Sequence, residues 1–163
     1  MSELTIRPLQ RREFEKVWPI FHAIVSAGKT YSYSPDTTRE QGEAIWFSDE
    51  KTPYIAEVDG EPVGTFYLRD NQLGLGDHVA NGGFMVAPHH AGKGYGTKMG
   101  QCMVDEARRA GYHGMQFNFV VEGNEQSLRI WKNLGFDIVG TVPDAFRHAE
   151  RGYTPVHILY RKL

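Results

Sequence analysis

Val86-Ala87-Pro88-His89-His90-Ala91-Gly92-Lys93-Gly94-Tyr95-Gly96-Thr97 is the stretch that decides how this chain folds. An apolar run (Phe84, Met85, Val86) is halted by Pro88, glycines alternate at 92, 94 and 96, and a helical pattern follows from Thr97. Without a Cβ, alternating glycines let successive backbone N–H groups turn toward one point. At a helix N-terminus, which carries partial positive charge, that concavity suits an anion such as pyrophosphate. A nucleotide-like cofactor is therefore expected over Ala91, Gly92, Lys93, Gly94, Tyr95, Gly96 and Thr97. The alternative is a glycine-rich strand-to-helix turn with no ligand.

Spacing narrows the cofactor. A P-loop needs Gly-Lys-Ser/Thr four residues after its first glycine, and Lys93 and Lys98 both stand in the wrong place. A dinucleotide fingerprint fails as well, because the glycine after Gly94 and Gly96 is Gly100, one residue late. The segment resembles the central motif of the GCN5-related N-acetyltransferases, Arg/Gln-x-x-Gly-x-Gly/Ala, with Ala91, Gly94 and Gly96 in those places. Ala91 departs from the usual Arg or Gln. A second stretch, Asn124-Glu125-Gln126-Ser127-Leu128-Arg129-Ile130-Trp131-Lys132-Asn133-Leu134-Gly135-Phe136, is similar to the same family's later signature. Asn124, Ser127, Trp131, Gly135 and Phe136 are in register with it, Trp131 standing where the family often has Tyr.

Composition agrees with one globular domain spanning residues 1–163: 40% of residues are hydrophobic, enough for a real core. A net charge of −2 argues against a nucleic-acid face. Cys102 is the single cysteine, so no intramolecular disulfide forms, in keeping with a reducing compartment. Ser2 to Arg7 does not read as a signal peptide, and no apolar run could span a bilayer. A cytoplasmic protein with no membrane partner is expected.

Elements alternate along the chain. Leu4–Arg7 reads as a strand, and Phe14, Val17, Trp18, Phe21, Ile24 and Val25 form a helical stripe that Pro19 should kink or break. Thr37 or Thr38 can cap a short helix through Trp46. Asp59-Gly60 signals a hairpin between 53–58 and 63–69. Then come a strand over 78–86, a helix ended by Gly111, a strand over 115–121, a helix over 124–134, and strands over 136–139 and 154–160. The pattern predicts a mixed α/β sheet with helices on both faces. The resemblance implies the same fold in finer detail: about seven strands, mostly antiparallel, with a central parallel pair that splays.

By resemblance, acetyl-CoA enters that splay as cosubstrate, pairing its pantetheine with the backbone of Phe84, Met85 and Val86, and Ser127 and Trp131 line it. No metal is expected. The strand position at which the family often holds a carboxylate base is Asn81, and an amide takes no proton at useful pH. His78, Asp77 and Glu122 are the nearby alternatives; an imidazole ordinarily suits proton transfer near neutrality, though a histidine at a strand start is more often a surface residue. Trp131 cannot release a proton, so it donates a hydrogen bond or packs. Asn118 interrupts an apolar strand, and alternation places it on one face with Val120 and Glu122. A buried amide without partners costs about 1–3 kcal/mol, so Asn81, Asn118 and Asn124 are read as the polar set of the reaction site, Asn124 also serving as a helix N-cap. That asparagine spacing is similar to fungal N-acetyltransferases acting on proline analogues such as azetidine-2-carboxylate. Tyr31 and Tyr33 would wall an acceptor pocket, and Arg147, in the connection before the last strand, would clamp an acceptor carboxylate. The resemblance thus implies N-acetylation of a small-molecule amine. A catalytically weak CoA-binding module and a protein N-acetyltransferase are the alternatives, and a homodimer is compatible.

Overall fold

Two of the chain's positive-φ turns set the sheet's framework. Asp59 (φ 52) and Gly60 (φ 79) close a two-residue hairpin between strands β2 (Thr52–Val58) and β3 (Glu61–Asp70), as the Asp-Gly pair predicts. Gly111 (φ 90) ends helix α3 (Tyr95–Arg109) and turns the chain into β5 (Gly114–Val121). The structure, a computed structural model, describes residues 2–48 and 50–163.

Strand β1 (Leu4–Pro8) leads through a 3-10 turn (Arg11–Lys16) into α1 (Trp18–Ala27). Pro19 breaks the expected stripe into these two pieces, because a proline is tolerated in a helix's first turn and not in its interior. Thr38 caps α2 (Arg39–Trp46) in a capping box with Gln41. Strand β4 (Val79–Val86) precedes α3, and α4 (Glu125–Asn133) follows β5 with Asn124 as N-cap. The last two strands are β6 (Asp137–His148) and β7 (Gly152–Lys162).

All seven strands join one sheet in the order β1-β2-β3-β4-β5-β7-β6. Among the described residues only β4 and β5 run parallel, and they pair only at Val79↔Gly114 and Ala80↔Met115. Helices cover both faces. On one, α3 and α4 pack Met99, Met103, Val104, Leu128 and Trp131 against Ala56, Phe66, Leu68 and Ala80. On the other, Phe14, Val17, Phe21 and Trp46 pack against Ile55, Tyr67 and Met85. Trp46 Nε1 donates to Thr65 Oγ1 at 3.0 Å and Thr65 Oγ1 to the Tyr54 carbonyl at 2.7 Å, so the buried indole is satisfied. Among the described residues no helix is long and apolar enough to cross a membrane.

The long β6–β7 hairpin corrects the reading of residues 140–153 as a connection. Its register shifts between Ile138 and Gly140 and between Val142 and Phe146, and most of β6 is exposed. Neither alternation nor burial marks such a strand in sequence.

Candidate active site

β4 and β5 part company immediately after Ala80 and Met115, and the gap between them becomes a cleft of about 470 Å³. Hydrogen bonds from Asn71 N–H to Val79 O and from Ala87 N–H to Val63 O fix which residues of β4 face β3. In an antiparallel ladder the N–H and C=O of one residue point the same way and alternate along the strand. Odd-numbered Asn81, Gly83 and Met85 therefore bond to β3, while Gly82, Phe84 and Val86 aim at the gap. Met85, expected on the free edge, instead has its backbone paired with Thr65 and its side chain buried against α1. Gly82 N–H is taken by Asn81 Oδ1 at 2.7 Å. Tyr31 Oη donates to Phe84 O at 2.8 Å across the opening.

All three asparagines line the cleft. Asn81 is buried in its wall, five residues before Val86. Asn118 arrives there by a different route from simple alternation. It and Phe119 fall in a bulge where the β5–β7 register shifts, so Phe117 and Val120 face the same core. The expectation that Asn118, Val120 and Glu122 share a face is thereby overturned. Asn118 Nδ2 donates to Asn71 Oδ1 at 2.7 Å, and its Oδ1 accepts from Gln116 Nε2 at 2.9 Å. Asn124 Oδ1 accepts the Ser127 N–H at 3.4 Å and caps α4. Trp131 is 2% exposed, with its ring 4.1 Å from Phe117 and 5.0 Å from Phe84 between centroids. It forms a wall.

Opposite stand Tyr31 and Tyr33, stacked at 5.6 Å, with Tyr67 beside them. Burial, reinforced by the neighbouring phenols, holds Tyr31 well above the ordinary phenol range. Burial also raises Tyr33 and Tyr67. Nothing in the sequence marks Tyr67 as a site residue, since a tyrosine in an apolar strand reads as core. Gly83 makes room for this trio: a Cβ there would lie 2.9 Å from the Tyr67 ring and 3.0 Å from Tyr31 Oη.

Pro88 and Ala91 line the mouth of the cleft. Just beyond it, Gly92 (φ 79) and Gly94 (φ 84) adopt the left-handed conformation that glycine permits, with nothing within 4 Å of a Cβ. Lys93 and Thr97 are exposed beside them and Tyr95 is half-buried. Gly96 also serves packing. A Cβ there would lie 2.8 Å from Ile130 Cδ1, so its absence lets α3 approach α4.

Other expected residues lie elsewhere. Arg147 is exposed on β6, alternating with Phe146, whose ring packs toward Phe119; it does not line the cleft. His78 sits near His113 at the closed end of the β4–β5 pair, and neither it, Asp77 nor Glu122 lines the cleft.

A sheet that splits at its one parallel pair, with a free β4 edge running to a glycine turn at a helix N-terminus, matches a known family. The chain belongs to the Acetyltransferase (GNAT) family, which it matches over residues 8–136. It is 30% identical over 151 residues to N-acetyltransferase aca1 of Schizosaccharomyces pombe, covering 82% of this chain and 72% of that protein. Over 58 residues it is 40% identical to the L-methionine sulfoximine/L-methionine sulfone acetyltransferase of Salmonella typhimurium, covering 36% of this chain and 33% of that protein. A solved GCN5-related N-acetyltransferase from Kribbella flavida superposes with a TM-score of 0.92 at 38% identity, covering 98% of both chains. The family makes this an acyl-CoA-dependent N-acetyltransferase.

Proposed function

We propose that the protein acetylates the amine of a small amino-acid-like molecule, using acetyl-CoA as donor. The observation that carries this reading is the free β4 edge, with Phe84 and Val86 N–H directed into a cleft that opens onto the Gly92–Gly94 turn. These donors fit an extended chain of amides ending in a pyrophosphate. Acetyl-CoA supplies the activated acetyl group: the amine nitrogen gains a C–N bond, the C–S bond breaks, and CoA leaves as the thiol.

The chain's own residues would bind and orient. Gly92, Lys93, Gly94 and Thr97 offer N–H groups, an ammonium and a hydroxyl at the positive end of α3. An N–H on the β4 edge polarises the reacting carbonyl, and one preorganised donor of this kind contributes about 2.7–4 kcal/mol. Asn124 and Ser127, at the start of α4, face the donor's chain, and Trp131 and Phe84 exclude water behind it. Tyr31 and Tyr33 wall the acceptor side, where Asn81, its Oδ1 taken by Gly82 N–H, would offer its Nδ2 as a donor to the incoming molecule. With tyrosines held protonated and asparagines inert to protons, the cleft supplies position, and the nucleophile enters as the free amine. The amino-acid character of the acceptor rests on the activity of the Salmonella relative and on a pocket of aromatic walls with amide donors.

The test is release of free thiol from acetyl-CoA over amino acids, proline analogues, polyamines and peptides at mildly alkaline pH, with products weighed by mass spectrometry. Turnover is expected on the amino-acid class, and Asn81→Ala and Asn118→Ala should lower it while leaving acetyl-CoA binding intact. Folded protein that binds acetyl-CoA yet releases no thiol with any acceptor would instead be a CoA-binding module. Acetylation confined to peptide N-termini would make it a protein N-acetyltransferase.

A further inference from the structure

Three metal-ligating side chains converge outside the cleft, and none of them serves the acetyl-transfer reading. Glu61 opens β3, and antiparallel pairing brings the end of β4 beside it, with Gly64 opposite Val86 and Ala87 N–H bonded to Val63 O. The short turn Pro88–His90 then sets two imidazoles over the same carboxylate. His90 Nε2 lies 3.1 Å and His89 Nε2 3.3 Å from Glu61 Oε1. All three donor atoms fall within 4.8 Å of one another. Ligands about 2.0–2.1 Å from a tetrahedral zinc stand roughly 3.3 Å apart, which is the spacing between each imidazole nitrogen and this oxygen. Two imidazoles and a carboxylate are a donor set for a borderline divalent ion, with water completing the shell. Glu61 and His89 are exposed, so an ion has a path in.

We propose that Glu61, His89 and His90 form a binding site for a divalent transition ion, with Zn²⁺ as the probe, and that the site is coupled to the glycine turn through Lys93. Lys93 Nζ lies 3.3 Å from His90 Nδ1. An ammonium only donates, so Nδ1 accepts and the ring hydrogen sits on Nε2. A metal on Nε2 requires the opposite tautomer, with the hydrogen on Nδ1, and that tautomer cannot accept from Lys93. Ion binding thus releases the ammonium, and the ion's own charge repels it outward, toward an anion on the turn. Reciprocity then requires that an anion holding Lys93 tighten the metal site by the same factor. The coupling rests on reading the turn as the pyrophosphate site; the metal site does not.

The experiment is calorimetric titration of ZnCl₂ into chelator-dialysed protein, repeated on Glu61→Gln, His89→Ala and His90→Ala, with circular dichroism confirming each fold. One ion per chain is expected. Even loss of an outer-shell partner weakens metal sites about 10–100-fold, so each substitution should weaken binding at least tenfold, while His22→Ala leaves it unchanged. No saturable binding, or binding that survives all three substitutions, overturns the site. Acetyl-CoA affinity is then measured with and without Zn²⁺. Tighter binding that disappears in Lys93→Met supports the coupling. An affinity indifferent to zinc overturns the coupling and leaves the metal site standing. Failure of acetyl-CoA to bind under either condition overturns the cofactor reading, while the zinc titration still decides the metal site.

Discussion

Tyr31, Tyr33 and Tyr67 are the titratable side chains on the cleft wall, and burial pushes all three upward, away from neutrality. Acceptor deprotonation is then governed by the acceptor. The alkaline rise of kcat/KM should follow the amine's own pKa, moving when one acceptor is exchanged for another of different basicity. A rise fixed at one pH for every acceptor would point to an enzyme base instead. Behind the tyrosines, Lys51 Nζ sits 4.5 Å over the Tyr67 ring and donates to Ile45 O at 2.8 Å. Partial burial, with Arg69 adding repulsion, lowers it from 10.5 to about 8. Below about 8 both folded and unfolded chains hold this proton, and the penalty of a half-buried cation is fully present. Between about 8 and 10.5 the unfolded chain binds more protons, so stability from this group rises with pH. Urea midpoints taken at about pH 7 and about pH 9.5 should show that rise in the native protein and a flatter response in Lys51→Met.

The strand pair β4–β5 carries its function in an alternation that amide exchange can read. Gly83 and Met85 N–H are locked to β3, whereas Phe84 and Val86 N–H face the gap. In the free protein the latter two should exchange fast and the former slowly; acetyl-CoA should slow Phe84 and Val86 selectively. Uniform protection along β4 would mean that its edge is not free. The α3–α4 contact is set by small residues. At Gly100 a Cβ would lie 2.8 Å from Leu134 Cδ1 and 3.2 Å from the Trp131 ring. Helix propensity alone favours Gly100→Ala by about 1 kcal/mol, but overpacking a filled core costs about 1–3 kcal/mol. Because Trp131 is clamped between Phe84, Phe117 and Phe136, the crowding wins, and a lower urea midpoint is expected.

Across the whole molecule, two cores lie on opposite faces of one sheet whose halves share only two paired positions at the β4–β5 junction. A ligand bonded to β4 on one side and packed on α4 from the other would tie those halves together. At 100 times its Kd such a ligand stabilises the fold by about 2.7 kcal/mol. For a domain of this size that raises Tm by roughly 5–10 °C. Calorimetry should show a single transition shifted upward; two transitions, only one of them moving, would mean that the halves unfold separately.

Local rules made much of this legible in the sequence. Asp59-Gly60 demands a tight hairpin, Pro19 breaks a helical stripe, Thr37 or Thr38 and Asn124 offer helix caps, and the glycines at 92 and 94 free the backbone of a turn; each depends on a few neighbouring residues. The resemblance brought Asn81, Asn124 and Trp131 to one gap, the cost of burying an unpartnered amide added Asn118, and all four line the cleft. Tertiary structure decided the rest. The bulge that tips Asn118 inward depends on pairing with β7, and the β6–β7 hairpin that carries Arg147 away from the cleft is an exposed ribbon without periodicity. Tyr67 joins the acceptor wall, and Glu61 meets His89 and His90, only because β3 and β4 are in register. Chemistry within a turn or a cap is written in adjacent residues, whereas chemistry between strands is fixed by the pairing of segments far apart in the chain.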